Sequence, residues 1–204
     1  MRLLAAAALL VASIMTARAA DLSAPLVLVA STQLVGPYAN TVLIVLPAGT
    51  DRHLGFILNR PTKTQLAELL PEHPAAKRIS APVFYGGPHV LGPVFALVRA
   101  PSAPAAGSIE VLPDLYLALG DGEVEEVILG AADTARFYVG LVTWERGELA
   151  AELGAGAWHA LAADADLVLD ASAETLWVRL IARLSAFTRV DGRPVIHSHY
   201  AWTY

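Results

Sequence analysis

Gly55-Phe56-Ile57-Leu58-Asn59-Arg60-Pro61-Thr62 sets an apolar strand directly against a polar break. Pro61 cannot donate to a sheet ladder and biases Arg60 toward an extended conformation. Thr62-Lys63-Thr64-Gln65 has the form of a capping box, with Thr62 as N-cap and Gln65 reaching back. Leu66, Leu69 and Leu70 follow at helical spacing, and Pro71 ends the run. A strand closing at Asn59 and a helix opening at Thr62 make an α/β unit. Strand ends beside helix starts are where such proteins place polar groups that meet ligands. Asn59, Arg60 and Thr62 are therefore candidate ligand-binding residues. The competing reading is that Asn59 and Arg60 merely satisfy the backbone of a sharp turn.

Upstream, Leu26 to Ala30 and Thr41 to Leu46 read as strands, the second buried on both faces. His53 to Leu58 returns antiparallel to it. Downstream, Pro93 to Arg99 reads as a strand, and Ser108 to Leu112 with Leu115 to Leu119 as a hairpin around Pro113-Asp114. Asp121 is placed to cap a helix with Val124, Val127 and Ile128 on its core side. Its Glu123, Glu125 and Glu126 form a solvated face, favoured by the helix dipole. Ala135 to Trp144 is a candidate central strand, and Glu148 to Leu153 a short helix. Ala157 to Leu161 and Asp166 to Leu169 read as short strands. Ser172 is placed to cap a last helix striped by Leu176, Trp177, Leu180, Ile181 and Leu184. No repeat and no linker divides the chain.

Composition sets the class. The chain has 204 residues, 55% hydrophobic and 16% charged, enough to bury a sizeable core in one domain. Arg2, an apolar run from Leu3 to Met15 and Ala17-Arg18-Ala19 form a signal-peptide pattern over residues 1–19, with cleavage expected after Ala19. The domain then covers residues 20–204. The expected compartment is periplasmic or secreted, with a cytosolic location as the alternative. Cysteine is absent, which excludes disulfides, thiol catalysis and cysteine-ligated metals. Loss of Arg2 and Arg18 takes the net charge from −5 to −7. An acidic domain lacks the basic face expected for nucleic acid. No later apolar run reaches the ~18 residues of a membrane span.

Three motifs in order carry a family resemblance. Gly55-x-x-Leu58-Asn59-Arg60-Pro61-Thr62, Val83-Phe84-Tyr85-Gly86-Gly87-Pro88 and Gly140-x-x-x-Trp144-x-x-Gly147-x-Leu149-x-x-Glu152 resemble the signatures of the YqgE/AlgH family. Trp158 and Leu176-Trp177 fall where that family places aromatic residues. The resemblance covers about residues 25 to 185. It implies a single compact α/β domain, α+β in part, with a mixed sheet and helices packed on it. The family is uncharacterised, and some members carry a transcriptional-regulator label on genetic grounds. The chain departs from the family pattern at His89 after the Gly-Gly-Pro turn, at Thr143 before the tryptophan, and at Glu148 where the family has an amide. A leader sequence is also unusual for the family.

The resemblance adds Gly86, Gly87, Trp144 and Glu148 to the candidate ligand-binding set. Glu148 and Glu152 lie one helical turn apart and could serve as a carboxylate pair. His197-x-His199 places two imidazoles on one side of a strand, a metal pair that needs a third ligand such as His53, His89 or His159. The bland readings are an exposed helix face and an aromatic tail. No nucleophile elbow, phosphate-binding loop or dinucleotide fingerprint occurs, so no cofactor is implied. The expectation is a non-catalytic envelope module that binds a small ligand or an envelope protein. The alternatives are a hydrolase using Glu148 or Glu152 with Asn59 and Arg60 holding substrate, and a regulator that does not contact DNA.

Overall fold

The computed structural model describes residues 20–187, 189–190 and 193–194. The expected signal peptide at residues 1–19 and the His197-x-His199 pair lie outside the described residues. The strands are β1 (Leu26–Ala30), β2 (Val42–Pro47), β3 (His53–Ile57), β4 (Pro61–Gln65), β5 (Pro82–Tyr85), β6 (His89–Arg99), β7 (Ile109–Leu112), β8 (Leu115–Ala118), β9 (Ala135–Trp144) and β10 (Trp158–Ala162). The helices are α1 (Leu66–Leu69), α2 (Asp121–Gly130), α3 (Glu148–Gly154), α4 (Ala165–Val168) and α5 (Leu176–Phe187).

The sheet runs β10-β1-β2-β3-β9-β6-β8-β7, with β5 joined to β9 and β4 to β5. Its ladders are antiparallel except β5 on β9, so the sheet is mixed. Alternation along each strand explains why the apolar runs are continuous, because both faces are covered. Val42, Ile44 and Leu46 of β2 face one cluster with Phe56, Tyr138, Leu176 and Leu180. Leu43 and Val45 face another with Trp144, Leu149 and Trp158. In the other half, Val94, Ala96 and Val98 of β6 pack on Val124, Val127 and Ile128 of α2.

β9 is the hinge between the halves. Ala135 to Val139 pairs with β6 and β5, while Val142 to Trp144 pairs with β3. The exchange happens at Gly140, whose φ of +73° lies in the left-handed region.

Four local expectations are corrected. Thr62 does not begin a helix: Pro61–Gln65 is a strand on β5, and the Thr62 hydroxyl donates to the Val83 carbonyl at 2.7 Å. The capping box exists three residues later, between Gln65 and Glu68. Pro61 is tolerated because this strand has a single ladder and an irregular register. Residues Asp166 to Leu169 are not a strand, because Asp164 accepts from the Leu167 amide at 2.8 Å and caps α4. Asp121 is the first residue of α2, with Gly120 as N-cap, and Ser172 precedes a 3-10 turn without a side-chain cap. Among the described residues, no helix is long and apolar enough to cross a membrane.

Candidate functional site

The three motifs meet where β3, β5 and β9 join. β5 ends at Tyr85, and Gly86 then inserts between β9 and β3. Its amide donates to the Val139 carbonyl at 2.8 Å and its carbonyl accepts from the Ile57 amide at 2.9 Å. That insertion needs bare backbone. A Cβ on Gly86 would sit 2.1 Å from the Gly140 carbonyl oxygen, on Gly140 2.0 Å from that of Gly87, and on Gly87 2.3 Å from the Leu141 carbonyl carbon. Gly55 serves the same region, since a Cβ there would lie 3.0 Å from the Trp144 ring. Gly86 and Gly87 are thus buried and face protein, and what approaches their backbone is another strand.

Asn59 and Arg60 grip the chain's own loop. The Asn59 Oδ1 accepts from the Val42 amide at 2.8 Å, and its Nδ2 donates to the Asn40 carbonyl at 2.9 Å. The Arg60 guanidinium donates to the carbonyls of Pro37 and Ala39, and its own carbonyl accepts from the Tyr85 amide at 2.9 Å. The pinned loop carries Gly36 at φ +86° and Asn40 at φ +59°, so it is held in a shape the chain would not take alone. Asn59→Ala is expected to cost about 2 kcal/mol, from a buried amide left without its acceptor. It should also speed hydrogen exchange at the Val42 amide. Unchanged exchange at Val42 would mean that the loop holds itself.

The same loop projects Tyr38 onto the Trp158 ring, edge-on, with centroids 6.2 Å apart. Trp158 and Trp144 are both buried, and both indole N–H groups donate to one oxygen, Glu152 Oε2, at 2.7 and 2.9 Å. Glu148 lies exposed one turn earlier and accepts from the Glu145 amide at 2.9 Å, closing the turn into α3. Burial raises the Tyr38 hydroxyl above its ordinary pKa, helped by Tyr85, Glu152 and Glu148 and opposed by Arg60. Tyr38 therefore stays a neutral donor at physiological pH. Arg60, Tyr85, Glu148 and Glu152 are thus the groups whose charge the Tyr38 phenol feels. Of the expected set, Arg60 and Glu148 belong to this rim and buried Trp144 lies beneath it, while Asn59, Thr62, Gly86 and Gly87 build its support. Tyr38 and Tyr85 are not in the expected set, since from sequence both lie in turns, Val35 to Asn40 and Tyr85-Gly86-Gly87-Pro88.

Arg136 lies within the expected central strand, Ala135 to Trp144, and is not among the candidate site residues read from the sequence. It is half-buried on β9, and its guanidinium donates to the carbonyls of Val168 at 2.9 Å, Asp170 at 2.7 Å and Leu58 at 3.4 Å. It also lies 4.5 Å from the centre of the Phe84 ring, a cation–π contact. Next to it the Tyr138 hydroxyl is fully buried and lacks a partner in hydrogen-bond geometry. Burial pushes its pKa up to about 12, despite the nearby Arg136. Because the folded value lies above the unfolded one, the stabilisation is complete below pH ~10 and is lost as pH rises through ~12. Tyr138→Phe should flatten the alkaline fall in stability by about 3 kcal/mol. A denaturation series across that window checks this, and an unaltered fall would assign it to other groups.

His53 is buried with its Nε2 2.9 Å from the Leu22 carbonyl, and exposed His89 lies 2.9 Å from the Thr143 hydroxyl. Among the described residues, no group of three metal-ligating side chains forms.

The AlgH-like family model (DUF179) matches residues 27–187. A UPF0301 protein of Chlorobaculum tepidum is 29% identical over 159 residues, covering 76% of this chain and 82% of its own length. One from Anaeromyxobacter dehalogenans is 31% identical over 176 residues, covering 79% and 87%. In structure, the AlgH protein of Pseudomonas aeruginosa superposes with a TM-score of 0.67 at 23% identity, over 88% of this chain and all of that one. DIP2367 of Corynebacterium diphtheriae does so with a TM-score of 0.67 at 19% identity, over 81% and 89%.

Proposed function

The chain belongs to the AlgH-like family, and from that premise we propose that it is a non-catalytic binding module of the cell envelope. It recognises a small ligand or an envelope protein through the rim of Tyr38, Arg60, Tyr85 and Glu148 above Trp144 and Trp158. The observation that carries this reading is the commitment of the acids. Glu152 gives one oxygen to two indoles, and Glu148 is bonded to its own turn. Glu152 thus holds the aromatic floor and Glu148 closes the turn into α3, structural tasks that favour the binding reading over the hydrolase alternative. Tyrosine and arginine at a rim over buried indoles suit recognition. A regulatory role fits the same binding rim. Direct DNA contact does not suit the net charge of −5.

The envelope assignment rests on residues 1–19, and mass spectrometry of the exported form should find Ala20 at the amino terminus. An intact Met1 in the cytosol would overturn it. The rim is tested by a photo-crosslinking residue at Tyr85, with the exposed Val178 as the control position. A discrete adduct is expected from position 85 alone, lost on Arg60→Ala at unchanged fold. Equal adducts from both positions would remove the rim reading.

A further inference from the structure

A cleft of about 290 Å³ opens beside β9, away from the rim, lined by Arg99, Asp133, Thr134, Arg136, Asp166 and Leu169. Its charges sort into two kinds. Arg99 of β6 and Asp166 of α4 neutralise each other through a 2.7 Å ion pair. Arg136 and Asp133, both on the chain entering β9, take part in none of the ion pairs among the described residues.

Arg136 is held in place without being neutralised. Three backbone carbonyls occupy three of its five guanidinium N–H groups, and the buried Tyr138 hydroxyl lies beside it as a further neutral neighbour. The Asp170 carboxylate feels Arg136 electrostatically, but its oxygens are bonded to the Ser172 amide and to Arg179, each at 2.7 Å. A guanidinium is paired with an anion more often the more deeply it is buried, and Arg136 is half-buried. Here the remaining donors are fixed by the carbonyls and by Phe84, so little ordering is needed on binding.

We propose that this cleft binds a small zwitterion of amino-acid size, with its carboxylate on Arg136 and its ammonium group toward Asp133. A simple anion would be repelled by Asp133 and a simple cation by Arg136. A molecule carrying both charges gives an ion-pair partner to both groups at once. The Arg99–Asp166 pair forms the opposite wall and adds no net charge.

Calorimetric titration of the full chain with L-alanine, acetate and methylammonium tests this. Saturable binding of L-alanine is expected, about tenfold tighter than either half-molecule, because each charged hydrogen bond adds to affinity. Asp133 is exposed, so Asp133→Asn should fold normally and lower L-alanine affinity to that of acetate. Arg136→Lys, if it folds, should lose both L-alanine and acetate. No saturation by L-alanine, equal affinity for L-alanine and acetate, or indifference to Asp133→Asn would each overturn the proposal. None of these outcomes bears on the Tyr38 rim, which lies at the other end of β9.

Discussion

Gly140→Ala is expected to leave little folded protein. The substitution places a Cβ 2.0 Å from the Gly87 carbonyl oxygen, on a residue whose φ is +73°. Neither side can give way cheaply. Gly87 is itself pressed against Leu141, and Gly86 is bonded to both β9 and β3. The left-handed conformation alone costs an alanine about 1–3 kcal/mol. Separating the strands adds the loss of ladder bonds at the junction, for a total of roughly 4 kcal/mol or more, in the exceptional range for one substitution. Against a typical stability of about 5–15 kcal/mol, that removes much of the margin. Soluble yield and a urea midpoint measure it. Gly122→Ala is the control: it lies in α2 with nothing within 4 Å of a new Cβ, and should gain about 0.5–1 kcal/mol. A Gly140→Ala protein melting like wild type would show that β9 need not kink.

Glu152→Ala should lower the melting temperature by about 10 °C. It strips the acceptor from two indole N–H groups in a region closed by Tyr38, Leu149 and Leu153. Each unsatisfied donor costs about 1–3 kcal/mol, and each kcal/mol shifts melting by about 2–4 °C in a domain of this size. Glu152→Gln separates acceptance from charge. Its amide oxygen can still accept, so it should recover about half of the loss. The two variants melting alike would point to charge as the essential property. An alanine variant within about 2 °C of wild type would mean that water already serves these indoles.

Much of this fold was legible, and the reason is burial. Strands covered on both faces demand continuous β-branched and apolar runs, so β1, β2, β3 and β9 announce themselves. α2 and α5 do so through their apolar spacing. The misread segments lack such a signal. Pro61–Gln65 is polar and proline-led, and becomes a strand only because β5 lies beside it. α4 is four residues long with one buried side chain, Val168, too short to show a period. The motifs of the candidate site were visible, but their physical roles were not. Nothing local says that Gly86, Gly87 and Gly140 touch one another, or that Asn59 holds Asn40 and Val42. Glu152 looked like a partner of Glu148, yet its bonds go to tryptophans six and eight residues away. Tyr38 and Arg136 gain meaning only from neighbours distant in sequence.

The shared acceptor at Glu152 also gives the molecule an optical voice. Indoles sheltered from water emit at shorter wavelengths than solvated ones. Trp144 and Trp158 are buried and tied to one carboxylate on α3, whereas Trp177 donates to the Ala30 carbonyl on β1. In a Trp202→Phe background, detachment of α3 would redden Trp144 and Trp158 and leave the Trp177 bond to Ala30 in place. Lifting of α5 would do the reverse. The colour of the protein's own fluorescence thus distinguishes which flank of the sheet has let go, without a label and without a ligand in hand.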